Sequence, residues 1–277
     1  MITRISGAAI RGVFIALLIA MPSLLLPVAA TKSPEVIALL AILAAGLTFA
    51  EYSSNYPSFM EFRDAPPLNR MRFVALSLMV LSLSLLARHP LEGTALTGLL
   101  SGLAYGLAGV LDFPFSPVQL TGLMMPAHAP APLLAQVMAA AALAFVIAFL
   151  AVASFFVAIR WQNWPLGNGP SNVWTNLPLF DPTAGGDVVQ RLQRDARINI
   201  IAGVLLPFGL PAAAKMLSGI ADPTLLSSPQ TLVWVMSFWA FLPASMIMRG
   251  LAMQRIAELI TFKRRAAYAD AEALQIA

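Results

Sequence analysis

The chain contains no cysteine. That excludes disulfides, thiolate metal sites and cysteine nucleophiles, although it does not identify a compartment. Histidine is nearly as scarce. The two present, His89 and His128, lie in loop-like sequence with no second histidine at helical spacing. A bis-histidine haem or a His-rich metal site is therefore not expected, and both read as solvated loop residues. Charge is the third shortage. Only 11% of residues are Asp, Glu, Lys or Arg, against roughly 25% in an ordinary soluble domain. Too little polar surface is available to solvate a globule of 277 residues. A soluble enzyme, a disordered chain and a disulfide-rich secreted scaffold are excluded on that ground. No HExxH, GxSxG, P-loop or GxGxxG motif occurs. The carboxylates sit mostly at the ends of apolar runs, so no paired acid/base site and no buried proton relay is evident. The sequence thus offers no catalytic residue, no cofactor-binding residue and no metal ligand, and it reads as a protein that is not an enzyme.

What the chain has in abundance is oil. Hydrophobic residues make up 59% and the mean hydropathy is +0.79. Seven apolar runs stand out, at 13–30, 36–50, 73–87, 95–111, 133–159, 198–217 and 232–248. At about 1.5 Å per residue most can cross a hydrocarbon core of about 30 Å, the shorter ones by thinning it or by recruiting flanking residues. None alternates as an outer-membrane strand does. The expected fold is therefore all-α, a polytopic integral membrane helical bundle of six to eight spans forming one transmembrane domain over 1–277.

Arg4 and Arg11 precede the first run, which ends in Val28-Ala29-Ala30. This resembles a signal peptide, but the run is long for one, and a retained first helix is the expectation.

The basic residues carry topology. The pI of about 9.9 does not point to nucleic acid, because the arginines and lysines fall at the ends of apolar runs, where they meet headgroups. Seven simple crossings with the N-terminus inside place most of them outside, against the positive-inside tendency. Inverting the chain improves this only in part. A better scheme removes or adds one crossing between Arg72 and Leu133. With the N-terminus inside, all 17 basic residues except Lys32, Arg88 and Lys215 then lie inside. The segment 113–126 is uncharged and interrupted by prolines, so it is the candidate re-entrant or return element. The alternative is that 73–87 does not span. A weak internal match supports the scheme. Arg11, Pro22, Pro27 and Lys32 recur as Arg197, Pro207, Pro211 and Lys215 around apolar residues. True copies would leave the same side of the membrane.

Four segments suggest function. The polar loop 51–72, expected in the cytoplasm, contains Glu61, Arg63, Asp64, Pro66, Pro67 and Arg70. The Pro pair is expected to stiffen it into an extended polyproline-like piece that docks a partner. Gly98, Gly102 and Gly106 recur every four residues in the fourth run and predict close helix packing, within this chain or with another subunit. The connector 160–197 begins with Trp161 and Trp164 and adds Trp174, all read as headgroup anchors. Asp187 is placed to cap a helix there, with Asp187–Arg191 and Arg191–Asp195 at supporting spacing, and Arg191, Arg194 and Arg197 recur on one side of it as a surface for lipid phosphates. Pro207 and Pro211 are expected to break or kink the sixth run. Beyond residue 250 the last helix is expected to continue as a cytoplasmic tail, with Ile256, Leu259 and Ile260 forming an apolar stripe.

The leading expectation is a non-catalytic inner-membrane accessory, scaffold or assembly subunit of a bacterial membrane complex. It would act by helix packing and loop docking, with membrane lipids and other membrane-protein subunits as partners and no nucleic acid. The alternative is a permease or lipid-handling transporter component that uses the Pro-kinked helix and the basic interfacial helix.

Overall fold

The computed structural model describes the chain except residues 1, 32, 57, 64, 162–163, 165–175, 178–179, 181–184, 218–225 and 277, with the side chains of 2 and 270–276 also outside the description. Asp64 and Trp174, read from the sequence as a docking group and a headgroup anchor, therefore lie outside the described residues. Each apolar run folds as helix, because in hydrocarbon only a helix satisfies its own backbone. We label them α1 (Ile2–Leu25), α2 (Pro34–Ser53), α3 (Leu68–Arg88), α4 (Ala95–Leu111), α5 (Pro117–Leu123), α6 (Ala131–Trp161), α7 (Val188–Met216) and α8 (Pro229–Ile276). Six of these, all but α4 and α5, are long and apolar enough to cross a membrane. The chain is an all-helical polytopic membrane bundle.

Local chemistry sets several helix starts. Thr94 and Thr97 form a reciprocal cap at the head of α4. Ser116 accepts from the Gln119 amide at 2.9 Å to open α5, and Asp187 accepts from the Val189 amide at 3.3 Å to open α7. Asp187 thus caps as expected, and it also pairs with Arg264 at 2.7 Å. That hydrogen bond, aided by the Val189 and Gln190 amides, holds the Asp187 carboxyl below its ordinary range.

The direction of each helix follows from contacts between distant residues. On one side, Arg4 reaches Asn55 at the end of α2, Trp164 after α6 reaches Ala65 before α3, and Arg264 of α8 reaches Asp187 before α7. On the other, Ser23 near the end of α1 meets Gln230 at the start of α8, and Lys215 near the end of α7 meets the Met125 carbonyl before α6. So α1, α3 and α7 run one way and α2, α6 and α8 the other. Since α3 ends and α6 begins on the same side, α4 and α5 must enter and leave from that side. The Ser116 hydroxyl ties α5 to the Leu111 carbonyl at the end of α4, and Gly122 of α5 sits against Leu134 and Met138 near the start of α6. The expected return element at 113–126 is thus the second arm of a hairpin whose first arm is α4. The alternative, that 73–87 fails to span, is not what is seen: α3 has 21 residues, enough for about 30 Å.

The cationic side chains separate accordingly. Arg88 and Lys215 fall on the hairpin side, and every other described arginine or lysine falls on the opposite, arginine-rich side. α1 and α7 leave the arginine-rich side in the same direction, as the internal match requires.

Two cores result. The larger, between α3, α4, α6 and α8, is built from small and medium side chains, including Val137, Ala140, Ala144, Met79 and Met236. Alanine-rich faces let these backbones approach where lipid offers no hydrophobic contrast. The smaller core lies at the arginine-rich end around Phe62, Phe155, Trp164, Leu177, Leu192 and Met253. It joins the 51–72 loop to the outer turns of α6, α7 and α8. The tail of α8 continues the span without a break, as expected, and Ile256 with Ile260 packs into this core. By contrast, α2 buries only Ala41 and Glu51, leaving Leu39, Leu43 and Leu47 more than half exposed.

Candidate functional site

The 51–72 loop begins where α2 runs out of intrahelical partners. The last carbonyls of a helix are orphan acceptors at the negative end of its dipole. Here guanidinium groups take them. Arg63 donates to the Glu51 carbonyl at 2.7 Å and to that of Ser54 at 3.2 Å. Arg4 donates to the carbonyls of Tyr52 and Ser54, and Arg11 lies 4.6 Å over the Tyr52 ring. The Glu51 carboxylate turns back and accepts the amides of Ser58, Phe59 and Met60 at 2.8, 3.2 and 3.0 Å. One carboxylate oxygen thereby satisfies three backbone donors of the loop.

Glu61 turns inward. Its carboxylate forks onto Arg249 of α8, at 2.5 Å to Nε and 2.7 Å to Nη2. The pair is largely shielded, with side-chain exposures of 9% for Glu61 and 28% for Arg249. Arg72 enters the same place, donating to the Ser245 carbonyl at 2.7 Å, one turn before Arg249. Phe62 then turns inward. Its backbone sits at φ 54°, a left-handed conformation that costs a bulky residue about 1–3 kcal/mol. The cost is offset by burial of the ring against Trp164 at 5.7 Å and by the Phe62 amide donating to the Asn176 carbonyl. Pro67 has φ −102° and ψ 3°, turn geometry and not the expected polyproline-like extension. It sits at the cap position of α3, so the chain must turn there.

The loop is therefore a folded internal buttress. Of the residues read as docking groups, Glu61 is spent on Arg249 and Arg63 on α2, and Pro66 and Pro67 are half-buried. Among the described docking residues only Arg70 stands exposed. Trp164 is corrected too. It is buried in the smaller core, with Nε1 donating to the Ala65 carbonyl at 3.3 Å, whereas Trp161 is 82% exposed and fits a headgroup anchor.

The basic stretch before the sixth span is not a separate helix lying in the interface. It is the first part of α7, continuous from Val188 to Met216. Arg194 and Arg197 are exposed, Arg194 pairs with Asp195 at 3.2 Å, and Arg191 lies 4.7 Å over the Phe180 ring. Further along, Pro207 and Pro211 do not break the helix. Pro211 has no amide to give the carbonyl four residues back, and that carbonyl, of Pro207, instead accepts from the Trp239 indole of α8 at 3.3 Å.

The glycines divide into two groups. A Cβ at Gly203 would stand 2.7 Å from the Pro243 carbonyl oxygen, one at Gly250 2.7 Å from that of Ala196, and one at Gly12 2.9 Å from that of Ala45. These positions let α7 meet α8, and α1 meet α2, backbone to backbone. The four-residue glycine stripe of α4 does not serve that purpose within the chain. Nothing lies within 4 Å of a Cβ at Gly102, Gly106 or Gly109, and Gly98 has only His89 at 3.5 Å. The expected packing within the chain is made by the neighbouring stripe, Thr97, Ser101, Ala104 and Ala108, about 100° round the helix. His89 itself is half-buried and contacts the Thr97 hydroxyl at 3.1 Å.

Sequence reasoning missed Arg249 as the partner of Glu61. The signal available was a lone arginine directly after an apolar run, on a helix that continues. Gly203 and Gly250 were missed because they stand singly. Among the described residues no three His, Asp or Glu side chains come together as a metal site. Comparison with family models, curated proteins and solved structures finds no match to this chain.

Proposed function

We propose that the protein is a non-catalytic subunit of a membrane complex, associating through the open face of α4. The observation that carries this reading is the stripe Gly98, Gly102, Gly106 and Gly109, which faces away from the bundle while a separate small-residue stripe does the internal packing. A glycine helix face gives a neighbouring backbone close approach. Leu99, Leu103 and Val110, all more than half exposed, flank it. The sparsely covered α2 adds further apolar surface of the kind that marks association sites. The arginine-rich side faces the cytoplasm by the positive-inside rule, and a bacterial inner membrane is the setting we infer.

Blue-native electrophoresis of mild-detergent extracts tests the reading. The wild type runs as a larger complex. Gly102→Leu and Gly106→Leu release the subunit while leaving its helical circular dichroism intact. A wild-type protein that runs alone, or variants that stay in the complex, would overturn it.

A further inference from the structure

A second feature is independent of the α4 face. Between α3 and α6 runs an open groove of about 320 Å³, walled by Met71, Val74, Leu78, Ile147, Leu150 and Ala151. The two helices are antiparallel, so Leu78 and Ile147 mark its inner end. Arg70 and Ser154 mark its mouth, at the arginine-rich side. From Arg70 to Leu78 the groove is about 12 Å long, at ~1.5 Å per residue. Arg70 is exposed and, among the described residues, makes no hydrogen bond, ion pair or ring contact. Arg63, Arg72 and Arg249 close by are engaged with backbone or carboxylate.

We propose that this groove holds one acyl chain of an anionic phospholipid, with the lipid phosphate on Arg70 and the Ser154 hydroxyl. The argument is one of complementary charge in the correct order along the membrane normal. The cationic donor stands at headgroup depth, a hydroxyl beside it supplies a second donor, and the wall beneath is apolar toward the midplane. Arginine holds phosphate through paired donors, so the site selects for charge and not merely for a hydrocarbon chain. A zwitterionic lipid of the same chain length fills the same wall but brings its own cation to the mouth.

Native mass spectrometry of the detergent-purified chain, with phosphatidylglycerol or phosphatidylcholine added at equal concentration, reads this out. The wild type retains one phosphatidylglycerol about tenfold better, since one charge-assisted contact is of that order. Arg70→Gln abolishes the preference, and Arg265→Gln, an exposed arginine on the tail of α8, leaves it unchanged. Ala151→Leu narrows the groove and weakens retention of both lipids. Circular dichroism melts of all three variants confirm folding. Equal retention of the two lipids by the wild type, an unaltered preference in Arg70→Gln, or a dimer whose masses show the groove covered by a second copy would each overturn the assignment.

Discussion

Replacing Glu61 with glutamine removes a carboxylate and keeps its shape. In the native protein that carboxylate makes two short bonds to Arg249, at 2.5 and 2.7 Å, beside a second arginine, Arg72, held on the preceding turn of α8. After the change two guanidinium groups remain at the membrane boundary with no carboxylate between them. Breaking a buried pair by removing one partner costs about 3–5 kcal/mol. Arg249 retains 28% of its side-chain exposure, so water recovers part of that, and about 3 kcal/mol is the working figure. At roughly 2–4 °C per kcal/mol for a chain of this size, the melting temperature falls by about 6–12 °C. Circular dichroism in a mild detergent measures it. The double variant Glu61→Gln with Arg249→Met removes both partners and recovers a large share of the loss, giving a coupling of about 2 kcal/mol. A melting temperature within about 2 °C of wild type for Glu61→Gln, or strict additivity in the cycle, would show that the loop is not pinned through this pair.

Three further outcomes follow from the same packing. Trp239→Phe strands the Pro207 carbonyl and costs about 1–2 kcal/mol in thermal melts. Introducing Pro211→Ala as well supplies an amide to that carbonyl, so the tryptophan change costs less in that background; an equal cost in both backgrounds refutes the assignment. Gly250→Ala drives a Cβ to 2.7 Å from the Ala196 carbonyl and destabilises by about 1–3 kcal/mol, whereas Gly102→Ala, with nothing within 4 Å, is neutral or slightly stabilising; comparable losses at the two sites contradict the packing described. The Asp187 carboxyl is held below its usual range, chiefly by Arg264. Its contribution is therefore present above the unfolded value of about 3.9 and fades as pH falls through the lower folded value. Carbon-detected NMR places the Asp187 midpoint below that of the Arg264→Gln variant, and coincident midpoints refute the tie.

The helical membrane class was legible because hydrophobic run length and scarce charge leave no other solvent for the chain. Helix α4 was read with its bounds intact, since Thr94 and Asp112 punctuate it. The return hairpin was legible indirectly, through the basic residues, because cations near span ends record a side even when span counting does not. The candidate sites were far less legible, and for a physical reason. Glu61, Arg63 and the proline pair have the composition of a free polar loop. Arg63 is taken by the carbonyls at the end of α2, and what makes the rest internal is Arg249 on Glu61 and Trp164 on the Ala65 carbonyl, both distant in sequence and ordinary in their own context. Glycine spacing on α4 suggests a close-approach face, but spacing cannot say whether this chain supplies the neighbour, and within the chain nothing comes within 4 Å of a Cβ at Gly102, Gly106 or Gly109. Gly203 and Gly250 do meet a neighbour within the chain, and neither forms a stripe. Pro207 and Pro211 read as a break or kink because sequence shows the missing amide but not the Trp239 indole that takes up the Pro207 carbonyl.

The chain lacks cysteine, so single cysteines report topology without background. The decisive measurement is labelling of Glu92→Cys, His128→Cys and Asn55→Cys by a membrane-impermeant maleimide in sealed, oriented vesicles. Residues 92 and 128 should react from one common face and residue 55 from the opposite face, as six crossings and one returning hairpin require. Labelling of 92 and 128 from opposite faces would mean that α4 crosses completely, and a bundle of six spans with a hairpin between α3 and α6 would be wrong.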